Sequence, residues 1–249
     1  MNTVKGSTKS EIRMIKAVQT AIGALSDGEI GTQTMSDIAA IVKADCFPLT
    51  LKIYSQAVII AKDVVAFNPG SGLAPLPNSI SGSFSYDGKP CSILVNYGKA
   101  ICDTACHGWL NFPETVIYKR GDGVVAAKRA RTTADLPGNL KWAVGGVGLL
   151  TMYNPLLEGF AKFNHGGKSY DYTDVLRKTN HTMMGAKNGM VYLAYCKNMT
   201  AAQVNAFAGK LGLDYAIMLD GGHVAAINGE ETFAQININQ RQYYAIQAK

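Results

Sequence analysis

The segment "LDYAIMLDGGHVAAING" (213–229) carries an apolar run, "YAIML", straight into an acid, two glycines and a histidine. Asp220 is the first acidic side chain after that run. A carboxylate at the mouth of a buried strand is held rigidly and partly desolvated, which moves its pKa towards acid–base work near neutrality. Gly221 and Gly222 leave main chain uncovered for a ligand to approach. His223 adds a group that exchanges protons near neutral pH. On residue types alone, the same run reads equally well as a turn in which Asp220 caps backbone amides. A second cluster, "CDTACHGW", places Cys102, Cys106 and His107 close together. Its spacing and the lack of a second cysteine pair do not fit a zinc site, so buried structural cysteines without metal are expected. His165, in "FNHGGKSYDY", falls in an expected loop. Tyr170 and Tyr172 are of a type that stacks on sugars, although tyrosines at a strand edge mostly serve packing.

Elements must bring such residues together. From about Tyr54 the texture is strand and turn: "AVIIA", "CSILVNYG", "ETVIYKRGDG", "LLTMY", "GMVYLAYC" and "YAIML" are short β-rich runs bounded by turn residues. "YDGKP", "YKRGDG" and "AKNGM" supply hairpin turns. One helix is expected before "YAIML". Thr200 and Gln203 form its capping box, Val204, Phe207, Ala208 and Leu211 its apolar stripe, and Gly212 its C-terminal stop. The predicted class is α+β with a mixed sheet. "GGVG" at 145–148 lacks the spacing and the following helix of a phosphate-binding fingerprint.

The first 47 residues read differently. Thr8 and Glu11 make a capping box, with Ile12, Ile15, Val18, Ile22 and Leu25 at helical spacing behind it. A second helix is expected from Thr34. "AVQTAIGALSDGEIGTQTMSDIAAIV" resembles the peptidoglycan-binding-like helical domain of cell-wall hydrolases, with Gln19, Asp27, Gly28, Gly31 and Thr34 in the places of its motif. Two domains are therefore expected, at 1–47 and 48–249.

The totals narrow the partners. The 249 residues carry a net charge of +6, with 47% hydrophobic and 17% charged side chains. That suits a globule with a sizeable core and a mild preference for polyanions. The densest basic cluster, Lys128, Arg129 and Arg131, is expected as a solvated face, so no specific nucleic-acid partner is predicted. No apolar run is long enough for a membrane span, and "MNTVKGSTKSEIRMIK" lacks the apolar core of a signal peptide. Five cysteines without repeated spacing point to a chain made in a reducing compartment. Synthesis in the cytoplasm is expected, with action at the wall after release.

The segment "NHTMMGAKNGMVYLAYCKNMTAAQVNAFAGKLGLDYAIMLDGGHVAAING" resembles the phosphodiester glycosidase family, to which the mannose-6-phosphate uncovering enzyme belongs. That family places Arg-Thr-x-x-Gly on a strand, then a hairpin, a Thr-capped helix, and a buried strand ending in Leu-Asp-Gly-Gly-Gly-Ser. "ISGSFSYDGKPCSILVNYGKAI", "WAVGGVGLLTMYNP" and "INQRQYYAIQ" are similar to further family segments, Arg241 matching a family arginine. Gly82, Phe84, Thr182, Gly185, Asp220, Gly221 and Gly222 match. His181 replaces an arginine, Ser81 an asparagine, and His223-Val224 a Gly-Ser pair. The resemblance implies hydrolysis at an anomeric carbon whose leaving group is a phosphodiester oxygen, with no cofactor. Asp220, His181 and His223 are the expected catalytic residues. Thr182, Gly221, Gly222, Ser81, Gly82, His107 and Arg241 are expected to hold substrate. The two resemblances together predict a wall glycan or sugar-phosphate polymer as partner, joined through an N-acetylglucosamine-1-phosphate type linkage. A wall-directed chain without an export signal also resembles phage endolysins. The rival expectation is a non-catalytic protein that binds a sugar-phosphate or nucleotide, because a histidine only partly replaces an arginine as an anion clamp.

Overall fold

The computed structural model describes residues 4–5, 29–30, 48–54, 56–67, 77–86, 89–228, 235–236 and 245–249. The helices expected within 1–47 lie outside the described residues, as does Arg241. The first two strands, β1 (Val4–Lys5) and β2 (Glu29–Ile30), pair antiparallel. Then follow β3 (Leu49–Ile53), β4 (Gln56–Ala61), β5 (Val64–Phe67), β6 (Ser79–Ser81), the hairpin β7–β8 (Ser85–Tyr86, Lys89–Pro90), β9 (Leu94–Asn96) and β10 (Lys99–Cys102). The middle of the chain forms β11 (Glu114–Arg120), β12 (Val125–Ala130), β13 (Leu140–Gly148), β14 (Lys162–His165) and β15 (Lys168–Asp171). The last third forms β16 (Thr179–Lys187), β17 (Met190–Met199), α1 (Ala201–Lys210), β18 (Tyr215–Gly221), β19 (Ile227–Asn228), β20 (Gln235–Ile236) and β21 (Ala245–Ala248).

A ten-stranded sheet runs in the order β10-β9-β13-β18-β16-β17-β4-β3, with β11 branching from β13 and carrying β12. A five-stranded sheet, β20-β19-β6-β21-β5, packs on one of its faces, and α1 packs on the other. Alternate residues of the central strands feed the two layers. On β18, Ala216 and Met218 join the helix-side core while Ile217 and Leu219 join the inter-sheet core. A strand covered on both faces needs apolar residues at every position, so "YAIML" reads as one continuous run.

The helix forms as its capping residues dictate. The Thr200 hydroxyl accepts from the Gln203 amide, and the Gln203 side chain accepts from the Thr200 amide. Val204, Phe207, Ala208 and Leu211 are buried, and Gly212 stands just past the end with φ +64°. The predicted "AKNGM" turn is also present, Asn188 and Gly189 both having positive φ between β16 and β17. The α+β class is observed, with a physical refinement of the mixed sheet. The helix joins β17 to β18, which run the same way, but β16 lies between them, and each pairing among the described strands is antiparallel.

The expected strand "LLTMY" is instead a 3-10 turn at Leu150–Met152. Leu150 has φ +59° and its amide donates to Asn205 Oδ1 of the helix, which pulls the chain out of the sheet after Gly148. The basic cluster is only partly a solvated face. Arg129 donates to the Met152 carbonyl at 2.8 Å and lies 3.9 Å from Glu158.

Two buried carboxyls join the strands to their loops. Glu114 accepts from the Ser92 hydroxyl at 2.6 Å and from the Ile93 and Cys106 amides at 2.5 and 3.2 Å. Glu158 accepts from the Thr115 hydroxyl at 2.5 Å and the Gly148 amide at 2.8 Å. Burial outweighs these donors, pushing Glu114 up to about 8 and Glu158 up to about 7. Both acids therefore hold a proton more tightly folded than unfolded. Their contribution to stability is complete below the unfolded carboxylate range and is lost as pH rises through the folded values. The melting temperature should fall by roughly 5 °C or more from pH 5 to pH 8 at constant ionic strength. Glu114→Gln should flatten part of that slope; a melting temperature that rises over this range contradicts the assignment.

Candidate active site

The end of β18 leaves the cover of both layers at Asp220. There a cleft of about 310 Å³, part of it open to solvent, is lined by residues from four places. Asp220, Gly221 and Gly222 come from the end of β18 and the turn after it, and Thr179 and His181 from the start of β16. Asp174, Val175 and Arg177 come from the 3-10 turn Thr173–Leu176 and its exit, and Phe84 from the loop after β6. The pairing of β16 slips between His181 and Met183 against β18, and between Thr179 and His181 against β17. Such bulges bend a strand and re-aim its side chains, and here both fall at the cleft.

Asp220 is clamped through its main chain. Its amide donates to the Gly82 carbonyl at 3.3 Å, and its carbonyl accepts from the Thr182 hydroxyl at 3.0 Å. The same hydroxyl lies 2.9 Å from the Ser81 carbonyl. Ser81 in turn accepts from the Ala226 amide at 2.8 Å through its own hydroxyl. Asp220 Oδ1 accepts from the Gly221 amide at 2.8 Å. Burial pushes the carboxyl up to about 7; the Gly221 amide and the Ser85 hydroxyl oppose the rise, and the charge of Asp174 adds to it. Asp220 is thus a stronger base than an ordinary aspartate, yet still titrates near neutrality.

His181 is buried beside it. Nε2 lies 3.1 Å from the Arg177 carbonyl, a bond that requires the hydrogen on Nε2 and leaves Nδ1 a lone-pair acceptor. Nδ1 has no hydrogen-bond partner among the described residues. Burial holds the imidazole below its ordinary value, against the Arg177 and Met199 carbonyls, so it is uncharged at neutral pH. Gly221 is required at this point. A Cβ there would stand 2.7 Å from Nδ1 and 2.8 Å from the Asn180 carbonyl. Gly222 follows with φ +67°, turning the chain away from the strand.

The structure gathers Asp220, His181, Gly221 and Gly222 at one cleft. Thr182, Ser81 and Gly82 lie behind it as braces, Thr182 and Ser81 fully enclosed and Gly82 packed against Ile246. The Gly221 amide is already engaged by Asp220. The backbone of His223 lies in the turn Gly222–Val224. His107 does not line the cleft; its Nδ1 is 3.1 Å from the Glu158 carbonyl and its ring stacks on Tyr172 at 4.3 Å. Cys106 faces Cys91, with 3.8 Å between the sulfurs, whereas the Cys102 thiol turns to Thr104, so the "CDTACH" residues go to separate partners. Sequence reasoning missed Arg177, Asp174 and Thr179. Arg177 Nη2 lies 3.8 Å from the point where a Cβ on Gly222 would stand. The signal was present in "YTDVLRKTNHT", a polar stretch with an acid and a base just upstream of the strand, but it has neither helical nor strand periodicity.

No protein-family model and no curated protein matches the chain. Among solved structures, it is similar to the catalytic domain of zebrafish N-acetylglucosamine-1-phosphodiester alpha-N-acetylglucosaminidase, auto-inhibited by its pro-peptide. The TM-score is 0.57 and the identity 14%, over 81% of each chain. It is also similar to a hypothetical protein from Synechocystis, with a TM-score of 0.50 and 10% identity over 80% of this chain and 61% of that one. At such identities the likeness is one of architecture: the chain has a phosphodiester glycosidase-like fold.

Proposed function

We propose that the chain is a hydrolase that cleaves the bond between an anomeric carbon and a phosphodiester oxygen. The observation that carries this reading is the Asp220 carboxyl, pushed up to about 7, in one cleft with the Arg177 guanidinium. Phosphate is a good leaving group, so little acid assistance is needed, and charge placement does most of the work. Arg177 binds the phosphate as a two-pronged donor, a geometry a histidine cannot offer. Asp220, when ionised, takes a proton from water as the water oxygen bonds to the anomeric carbon. The carbon–oxygen bond breaks and its electron pair leaves with the phosphate. Asp174, exposed in the turn Thr173–Leu176, lines the same cleft and offsets positive charge that develops on the sugar. His181 is a positioning residue, its Nε2 bond holding the backbone that carries Arg177.

The finer reading concerns the substrate. We infer a wall polymer joined through N-acetylglucosamine-1-phosphate, with residues 1–47 delivering the hydrolase to peptidoglycan in an endolysin-like role. Its support is the pairing of the two sequence resemblances. The rival idea of a non-catalytic binder rests on the replaced arginine and asparagine positions, His181 and Ser81; the presence of Arg177 in the cleft favours the hydrolase on the first of these.

Asp220→Asn should lower kcat on UDP-N-acetylglucosamine or an aryl N-acetylglucosamine phosphodiester by roughly a thousandfold or more, with the melting temperature preserved. Turnover within a few-fold of the parent would refute the assignment. The raised carboxyl works as a base only when ionised. In the parent protein kcat/KM should therefore climb about tenfold per pH unit below about 7 and level off above it. A rate that is flat or falls over that range assigns the proton transfer elsewhere. Arg177→Ala should raise KM for the phosphodiester about tenfold or more, and Arg177→Lys should recover part of the loss. Incubation with purified walls should release sugar-phosphate polymer; its absence, with the small esters still cleaved, removes the wall substrate alone.

A further inference from the structure

A file of aromatic rings leads from the cleft to the surface. Phe84, in the cleft wall, lies 5.7 Å from Phe160, which lies 4.8 Å from His107. His107 stacks on Tyr172 at 4.3 Å, Tyr172 on Tyr170 at 6.1 Å, and Tyr170 meets Trp109 at 5.5 Å. Trp109 is 58% exposed. The same stretch of chain builds both ends. Tyr170 lies in β15, Tyr172 caps the 3-10 turn, and Asp174, Val175 and Arg177 of that turn and its exit line the cleft.

The platform is built on a regular hairpin. β14 and β15 pair in register, Phe163 opposite Tyr170 and His165 opposite Lys168. Their two-residue turn is Gly166-Gly167, both with positive φ, which is the tight connection a twisted hairpin favours. Trp109 contacts both His165 and Tyr170, so the ring-bearing face of the hairpin turns to it. On the other side Tyr86, 81% exposed, follows Ser85, whose hydroxyl bonds Asp220. The exposed rings of the platform are Trp109 and Tyr86, with Tyr170 behind Trp109, and His165 and Lys168 of the hairpin carry polar groups beside them. Flat rings with a polar fringe match a sugar ring, which has an apolar C–H face and a rim of hydroxyls.

We propose that Trp109, with Tyr170 and Tyr172 behind it, is a sugar-stacking subsite that receives a pyranose ring of the same glycan whose ester sits against Asp220. The subsite rests on the hydrolase reading of the cleft and extends it, selecting an extended glycan over a short ester. Its test stands apart from turnover, because a plain oligosaccharide has no phosphodiester to cleave. The chain has two tryptophans; Trp142 is 1% exposed, so a ligand-induced change in emission reports Trp109. Chitotetraose, with cellotetraose as a sugar lacking acetamido groups, is titrated into the full-length protein and followed by emission and by calorimetry. A saturable emission change is expected with at least one of them. Trp109→Ala should weaken that binding about tenfold by calorimetry, and Trp109→Phe should retain most of it. Trp109→Ala should leave kcat/KM on an aryl N-acetylglucosamine phosphodiester unchanged while raising KM on the wall polymer. Failure of both oligosaccharides to bind, or equal binding by Trp109→Ala, overturns the subsite. So does a drop in sedimentation mass on removing the indole, which would make this face a contact between copies. Trp109-dependent binding with no turnover on any phosphodiester removes the hydrolase reading and leaves the subsite standing.

Discussion

Coverage of the β18 strand on both faces is the constraint on which the rest depends. Its residues alternate between the helix-side core and the inter-sheet core, and neither side tolerates a polar group without a partner. The first polar side chain on such a strand must come where both layers end. That is Asp220, and the clamps on its main chain from Gly82 and Thr182 hold the end of the strand where the layers stop. The five-stranded sheet is thus more than a cover. Through Ser81 and Gly82 it fixes the height at which the carboxyl emerges.

Among the described residues three acids are raised by burial, and their surroundings differ. Glu114 has three donors and Glu158 has two, with a guanidinium nearby, and neither lines the cleft. Their protonation joins loops to strands. Asp220 also has two donors, the Gly221 amide and the Ser85 hydroxyl, but it opens onto a cleft where a ligand can complete its shell. A carboxyl with unfilled bonding capacity, in a cleft that a guanidinium also lines, is what the proposed hydrolysis requires.

Much of this was legible in the sequence where local chemistry decides the outcome. The continuous run before Asp220 marked a doubly covered strand, the Thr200 and Gln203 pair marked the helix start, and Asn188-Gly189 marked a hairpin. Each signal works within a few residues and survives tertiary packing. What stayed hidden depends on contacts far apart in sequence. "LLTMY" has strand composition, but Asn205, more than fifty residues on, captures the Leu150 amide and ends the strand. Thr182 matched a family position as a substrate donor, yet its neighbours are two carbonyls brought in from Ser81 and Asp220. His107 had the right residue type, but the Tyr172 ring and the Glu158 carbonyl hold it along the aromatic file.

His181 stands where the family resemblance predicts an arginine, and Arg177 brings a guanidinium to the same cleft from a loop. Position 181 lies inside the bulged start of β16, enclosed by neighbours, where a guanidinium would lose much of its hydration. An uncharged imidazole costs less there, and its Nε2 can tie down the carbonyl of Arg177. Arg177 itself is exposed at the exit of a short turn, so its charge stays hydrated. Placing the cation on the loop and the neutral ring on the strand divides two tasks that one strand arginine would perform together. In the proposed hydrolase the ring holds the backbone and the guanidinium meets the anion. That division explains why the cleft tolerates a histidine where the sequence resemblance leads one to expect an arginine.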